Sequence, residues 1–198
     1  MSTPATRAAT GDELGQVTAV FAHAFADDPV WGHWTFPEPA DRVPLLRAFW
    51  QPFVRAASKY DGVVVLDDLS AVALWVPPGV PDLDDEDEAA VADILPRVCG
   101  DRAGLVAQGW DVFAETRPQQ PHWYLSLLAT DPGRRGSGLG MMLVEQHLSS
   151  VDDEGHGAYL ESTNPGNVQR YRRAGFEPDG FFDLPDGPRV DRMWRAPR

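Results

Sequence analysis

The stretch Ala129–Leu148, ATDPGRRGSGLGMMLVEQHL, joins an apolar strand to an amphipathic helix through a turn crowded with glycine and arginine. Ahead of it, His122–Ala129 (HWYLSLLA) is rich in aromatic and apolar residues and predicts a buried strand, which Asp131-Pro132-Gly133 stops. Behind it, Leu139, Leu143, Val144, Leu148 and Val151 recur at three- and four-residue spacing, so one helical face is apolar and can lie on a sheet. The turn itself, Arg134-Arg135-Gly136-Ser137-Gly138-Leu139-Gly140, brings unpaired backbone N–H groups to the helix start, where the macrodipole favours an anion. Gly136, Gly138 and Gly140 remove Cβ atoms on the side where phosphates would sit, while Arg134 and Arg135 add fixed positive charge with forked donors. A pyrophosphate cradle is the reading these residues favour, and a solvated, glycine-bearing helix start is the plain alternative. The G-x-G-x-G spacing is not the dinucleotide fingerprint, and no Gly-Lys-Ser/Thr follows as a nucleoside triphosphate loop requires.

A chain of 198 residues supports one domain, expected here as a single unit over residues 1–198 with a helical insertion around 82–120. With 43% hydrophobic and 24% charged residues the composition is that of a soluble fold. The opening MSTPATRAAT lacks an apolar signal segment and no apolar run approaches membrane-spanning length, so a cytoplasmic protein with no membrane partner is expected. Cys99 is the only cysteine, which excludes an intrachain disulfide and a cysteine zinc site, and no ligand cluster calls for any metal. The net charge is −13, and 19 of the 30 acidic residues precede Pro121. Such acidity argues against nucleic acid as a partner, although a local arginine pair still holds a phosphate.

Taken in order, Ala5–Ala9 suggests a short strand, and the capping-box pattern Thr10-Gly11-Asp12-Glu13 opens a helix whose apolar side includes Leu14, Val17, Val20, Phe21 and Phe25. Val30–Pro39 (VWGHWTFPEP) reads as a short helix or loop with an apolar surface. Phe25, Trp31 and Trp34, with Phe36, are candidates to line a substrate pocket, against the common alternative that such aromatics pack in a core. A helix is expected over Ala40–Tyr60, then a hairpin of Gly62–Leu66 and Ala71–Val76. The acidic run DLDDEDE lacks an EF-hand pattern and is expected to be a solvated helix start. Helices over Glu88–Val98 and Arg102–Glu115 follow. Beyond the central helix come a strand at Ala158–Ser162, with Tyr159 and Glu161 on one face, a helix opened by Asn164-Pro165 and ended at Gly175, and two strands around Pro185-Asp186-Gly187-Pro188.

Two motifs carry a family resemblance. Asp131-Pro132-x-x-Arg135-Gly136-x-Gly138-x-Gly140 resembles the R-x-x-G-x-G/A signature of the GNAT superfamily of acyl-CoA-dependent N-acyltransferases, in which it binds the coenzyme A pyrophosphate. Tyr171-Arg172-Arg173-Ala174-Gly175-Phe176 resembles the second signature, Y-x-x-x-G-F, with the upstream asparagine region at Asn164 and Asn167. Shorter similarities at Ala24–Pro29, Trp123, Leu160–Thr163 and Leu184–Met193 extend the likeness to the puromycin N-acetyltransferase group, without establishing the same acceptor.

The resemblance implies a mixed α/β fold: a largely antiparallel sheet that splays between the parallel strands at His122–Ala129 and Ala158–Ser162, with helices on both faces. It implies acetyl-CoA as co-substrate, held by Arg134, Arg135, Gly136, Ser137, Gly138, Leu139 and Gly140, by Leu127, Leu128, Ala129 and Thr130 along the strand, and by Asn164 and Asn167. Tyr171 would protonate the departing thiolate, a feasible transfer between a phenol of pKa about 10 and a thiol of roughly 8.5, against the alternative of a tyrosine packed on the sheet. The strand before the glycine loop carries no carboxylate, so Glu161 is the best general base, with His122 weaker and a structural carboxylate the alternative. The expected activity is acetyl transfer to a primary amine of a small molecule by direct attack in a ternary complex, in a monomer or homodimer. A protein or peptide amine acetyltransferase and a non-catalytic acyl-CoA-binding sensor are the rivals.

Overall fold

The computed structural model describes residues 5–198. Its strands are β1 (Thr6–Ala8), β2 (Val63–Leu66), β3 (Ala71–Val76), β4 (His122–Thr130), β5 (Gly157–Ser162), β6 (Glu177–Asp183) and β7 (Arg189–Arg195). Its helices are α1 (Leu14–Phe25), α2 (Arg42–Ser58), α3 (Asp85–Cys99), α4 (Ala103–Thr116), α5 (Leu139–Asp153) and α6 (Val168–Arg173). Every residue of β2 and β3 is buried, because VVVL and AVALWV are apolar on both sides of the pleat and helices cover both faces. The strands form one sheet in the order β1-β2-β3-β4-β5-β7-β6, antiparallel throughout except for the pair β4 and β5. The mixed α/β class and the largely antiparallel sheet are therefore as expected.

Two cores sandwich this sheet. On one face Phe21, Trp31, Phe49, Val106 and Phe113, from the segments bearing α1 to α4, pack against Tyr124, Leu127 and Tyr159. On the other, Leu143, Val144, Leu148 and Val151 of α5 meet Trp75, Leu125, Leu160 and Met193. The apolar stripe of α5 is the one its spacing predicts.

One irregularity in β4 shapes the centre. Its register with β3 runs from Thr130 to Leu127, then jumps to Leu125, so Ser126 is skipped. Leu125 and Leu127 consequently face opposite cores although they are two residues apart. A bulge of this kind bends the strand and increases its twist. On the other side, β4 pairs with β5 only from His122–Gly157 to Leu125–Leu160. Beyond that point β5 keeps only β7, with Glu161 opposite Arg192 and Ser162 opposite Asp191, and the sheet opens between Ser126 and Glu161.

Several expectations need correction. The capping box forms by half: Glu13 accepts from the Thr10 N–H at 2.8 Å, but the Thr10 hydroxyl donates to Asp12, and Glu13 also binds Arg7. Helix α3 starts at Asp85, three residues earlier than expected, since Asp84 caps it by accepting the Asp87 N–H at 3.0 Å. The acidic run is also not simply a solvated helix start. Asp87 is fully buried and receives Arg55 of α2 and Lys59 just past its end, each at 2.6 Å, so part of the run fastens α3 to α2. Cys99 is packed in the core and burial pushes its thiol up to about 11, which suits an inert side chain.

The segment after α1 is a wide turn, Pro29–Trp34, in which the His33 N–H bonds the Asp28 carbonyl five residues back at 2.9 Å. Trp34 belongs to the core rather than to a pocket. It is 6% exposed, donates Nε1–H to the Pro185 carbonyl at 3.1 Å, and sits so close to Gly109 and Gly187 that a Cβ on either would lie under 3 Å from its ring. Trp34→Ala is therefore expected to lower stability by about 3–5 kcal/mol in urea unfolding, as for other buried large-to-small aromatic changes. A loss under about 1 kcal/mol would return Trp34 to the surface of a pocket.

Candidate active site

At the opening between β4 and β5 lies a cleft of about 40 Å3, lined by Phe25, Asp28, Trp31, Ser126, Glu161 and Tyr171 among others. Side chains from both cores reach it because neither strand covers the other there. Phe25 and Trp31 line it, whereas Trp34 does not. Ser126, absent from the sequence reading, has no register partner on either neighbouring strand, and this leaves a bulged stretch of backbone at the cleft wall.

At the C-terminal end of β4, the short helical turn Pro132–Arg134 leads into α5. Asp131 caps that turn by accepting the Gly133 N–H at 2.8 Å. Gly138 is the N-cap of α5 with φ 81°, and no side chain caps the helix, so its first-turn N–H groups stay directed at solvent or a ligand. A Cβ at Gly136 or Gly138 would meet nothing within 4 Å, so both face open space, and both carry a positive φ that side chains disfavour. Gly140 differs from the expectation. It is buried, and a Cβ there would lie 2.8 Å from Thr130 Oγ1, so this glycine lets α5 pack closely on β4 instead of making room for phosphate. Arg134 and Arg135 are exposed beside the loop. Arg134 lies 3.7 Å from Asp68, and Arg135 donates to the Ala24 carbonyl at 2.9 Å. The Ser137 hydroxyl turns back to the Arg134 carbonyl, and Leu139 is half-buried against the second core. Leu128 lines the cleft, while the side chains of Leu127 and Ala129 point into the first core.

The Y-x-x-x-G-F run has a local cause. The Tyr171 carbonyl accepts from both Ala174 N–H (3.0 Å) and Phe176 N–H (3.1 Å), which ends α6, and Gly175 takes φ 94° to allow it. Phe176 is fully buried and meets the Tyr171 ring edge-on at 6.1 Å, so the ring is braced while it lines the cleft. Burial first, and then the Asp28 carboxylate, push the phenol up to about 12. Asn167 also lines the cleft, with its Oδ1 on Arg170 at 2.9 Å. Asn164 does not: its side chain accepts the Gly166 N–H at 2.9 Å and forms the turn before α6.

Glu161 enters the cleft from β5, on the face of Tyr159. Its Oε1 is buried and has no hydrogen-bond partner among the described residues. Burial pushes the carboxyl up to about 7, partly opposed by the Arg117 charge and by the hydroxyls of Tyr124 and Tyr159. Such a group changes charge in the neutral range, as a general base must. His122 stands away from the cleft, with Nδ1 at 2.7 Å from the Gln120 carbonyl, and burial lowers its pKa.

Asp28 ties the two walls together. Its Oδ1 accepts the N–H groups of Val30 (2.9 Å) and Trp31 (3.0 Å), and its Oδ2 accepts the Thr163 hydroxyl at 2.8 Å. The short similarities at Ala24–Pro29 and Leu160–Thr163 thus meet in one buried bond across the cleft. Asp28 was readable as a cap, since Asp precedes Pro29 at the start of a turn, but its partner 135 residues away was not.

Residues 101–176 match the model of the acetyltransferase (GNAT) family, a span that includes β4, the glycine loop, α5, Glu161 and Tyr171. A Corynebacterium glutamicum protein described as histone acetyltransferase HPA2 and related acetyltransferase is 28% identical, with 100% of this chain and 98% of that one aligned at a TM-score of 0.74. At the level of fold alone, the chain is similar to a Drosophila melanogaster polyamine N-acetyltransferase that forms N-acetylagmatine (17% identity, 98% and 100% covered, TM-score 0.64). It is similar in the same way to arylalkylamine N-acetyltransferase 2 of Aedes aegypti (16% identity, 100% of both chains, TM-score 0.66). The open β4–β5 pair, the glycine loop at α5 and the span that matches the acetyltransferase (GNAT) family thus fall in one place, and over that span the chain is similar to this family.

Proposed function

We propose that the chain moves an acetyl group from acetyl-CoA to a primary amine of a small molecule, by direct attack in a ternary complex. The observation that supports this most strongly is the meeting of Glu161 and Tyr171 in one cleft that Phe25 and Trp31 also line. The glycine loop fits a pyrophosphate: Gly136 and Gly138 face open space, α5 is uncapped, and two arginines stand beside it. In this reading Arg134, Arg135, Gly136, Ser137, Gly138 and Leu139 hold the phosphates, the backbone of β4 from Ser126 to Thr130 holds the arm, and Asn167 borders it. Acetyl-CoA supplies the acyl group as a thioester, and coenzyme A departs as the thiolate, which takes its proton from water on release.

Glu161 takes the proton that the amine loses as its nitrogen bonds to the acetyl carbon and the carbon–sulfur bond breaks. Tyr171, with its pKa raised to about 12, stays protonated through the neutral range and donates a hydrogen bond to the sulfur as negative charge develops. Full proton transfer to a thiolate whose acid has a pKa of roughly 8.5 is uphill from such a phenol, so stabilisation of the anion is its larger contribution. A protein or peptide amine is the second reading, favoured by the relation to the C. glutamicum protein.

Calorimetry with acetyl-CoA, followed by thiol release over agmatine, spermidine, tryptamine, puromycin and a lysine peptide, tests the assignment. Binding with release on a small amine supports it, release on the peptide alone favours the second reading, and binding without release returns the non-catalytic sensor. Gly138→Val forces a branched side chain into a left-handed backbone and is expected to weaken acetyl-CoA binding by about tenfold or more in calorimetry, with folding checked by circular dichroism. Tyr171→Phe is expected to lower kcat by about 100-fold while coenzyme affinity is kept; equal turnover makes Tyr171 a packing residue. The rate should rise with pH and level off above about 7, because Glu161 acts only after losing its proton, and Glu161→Gln should abolish that rise.

A further inference from the structure

Beneath Glu161 lies a cluster that the reaction described above does not use. Asp82 precedes α3 and Arg117 follows α4, and the two close the base of that helical segment across 35 residues: Arg117 Nη1 donates to both Asp82 oxygens at 2.7 Å. The guanidinium carbon stands 4.0 Å from the centre of the Tyr124 ring, a distance that fixes its plane and leaves it dry on that side. Tyr124 and Tyr159 are register partners across β4 and β5 with ring centres 6.0 Å apart, Glu161 follows Tyr159 on the same face of β5, and the Arg117 charge and both phenols act on its carboxyl. Arg117 Nε, Tyr159 Oη and Glu161 Oε1 are all buried without a hydrogen-bond partner among the described residues. An ion pair that only closed a loop would have no reason to sit against the Glu161 carboxylate with polar atoms left free.

We propose that Arg117, held by Asp82, is a positioning residue of the transfer, acting on the acceptor amine's proton through Glu161. The proposal rests on Glu161 being the proton acceptor. The Arg117 charge favours the ionised carboxylate, and Asp82, by neutralising Arg117, limits that effect, so the pair poises Glu161 between a weak base and an inert anion. Other charged groups facing this carboxyl are few. Arg192 of β7 lies opposite Glu161 in register, donates Nη1 to the Thr116 carbonyl at 2.7 Å and stands 3.7 Å from Asp179 of β6. His122 of β4 feels Arg117 and Asp82, and Asp28 on the α1 side is engaged with Thr163 and acts on Tyr171.

The test follows the glutamate side-chain carboxyl 13C resonances of the full chain against pH, with the Glu161 signal assigned by its loss in Glu161→Gln. Arg117→Gln removes a cation and should move the Glu161 midpoint up by about one pH unit or more; Asp82→Asn frees that cation and should move it down; Arg117→Lys should restore much of the wild-type value. Movement in opposite directions is the signature, because a structural loss common to both variants shifts the signal one way only. Midpoints that stay put or move together overturn the proposal and leave Glu161 as the base. Thiol release from acetyl-CoA, with agmatine and with water as the only acceptor, reads the other premise: Glu161→Gln at wild-type rate in both overturns the base reading and the proposal with it.

Discussion

Pairing between β4 and β5 stops at Leu125 and Leu160, and the whole centre of the molecule follows from that stop. Two parallel strands that stay in register would bury their backbone in a ladder and leave nothing exposed between them. Here the bulge at Ser126 turns β4 away, while β5 remains bound to β7 through Glu161 and Ser162. The gap that opens is the place where side chains of both cores and of β5 itself converge, and where the N-terminus of α5 begins just beyond the end of β4.

An opening in a sheet must be held open by something outside the sheet. Asp28 does this on one side, joining the turn after α1 to Thr163 at the end of β5 through a carboxylate whose oxygens are both engaged. Arginines hold the same irregular segment by its carbonyls, Arg42 binding those of Phe36 and Pro37 and Arg102 that of Trp34, while Arg135 binds that of Ala24 in the last turn of α1. Backbone that leaves regular structure inside a protein needs such partners for its polar groups. Arg135 thereby links the glycine loop to the helix that bears Phe25, so the loop and the aromatic wall of the cleft are parts of one bonded structure.

The net charge of −13 has a structural component as well. Asp84 and Asp87 bind cations at the C-terminal end of α2, Asp82 binds Arg117, and Asp152 holds the buried Arg195 with two contacts of 2.6 Å. Part of the acidity thus fastens elements together, although the more exposed of these pairs contribute little each.

What the sequence by itself determined was local. The strand, glycine loop and helix of Ala129–Leu148, the hairpin of β2 and β3, and the shared face of Tyr159 and Glu161 all follow from periodicity and turn chemistry, which act over a few residues. The Y-x-x-x-G-F run likewise encodes its own helix stop. Tertiary structure alone decided which residues meet: that Trp31 lines the cleft and Trp34 does not, that Gly140 serves helix packing instead of phosphate, that Asp28 finds Thr163, and that Arg117 faces Glu161. Each of these depends on contacts between segments far apart in the chain, and neither spacing nor residue type carries that information. A side chain's burial, its partners and its pKa are set by what the fold brings against it.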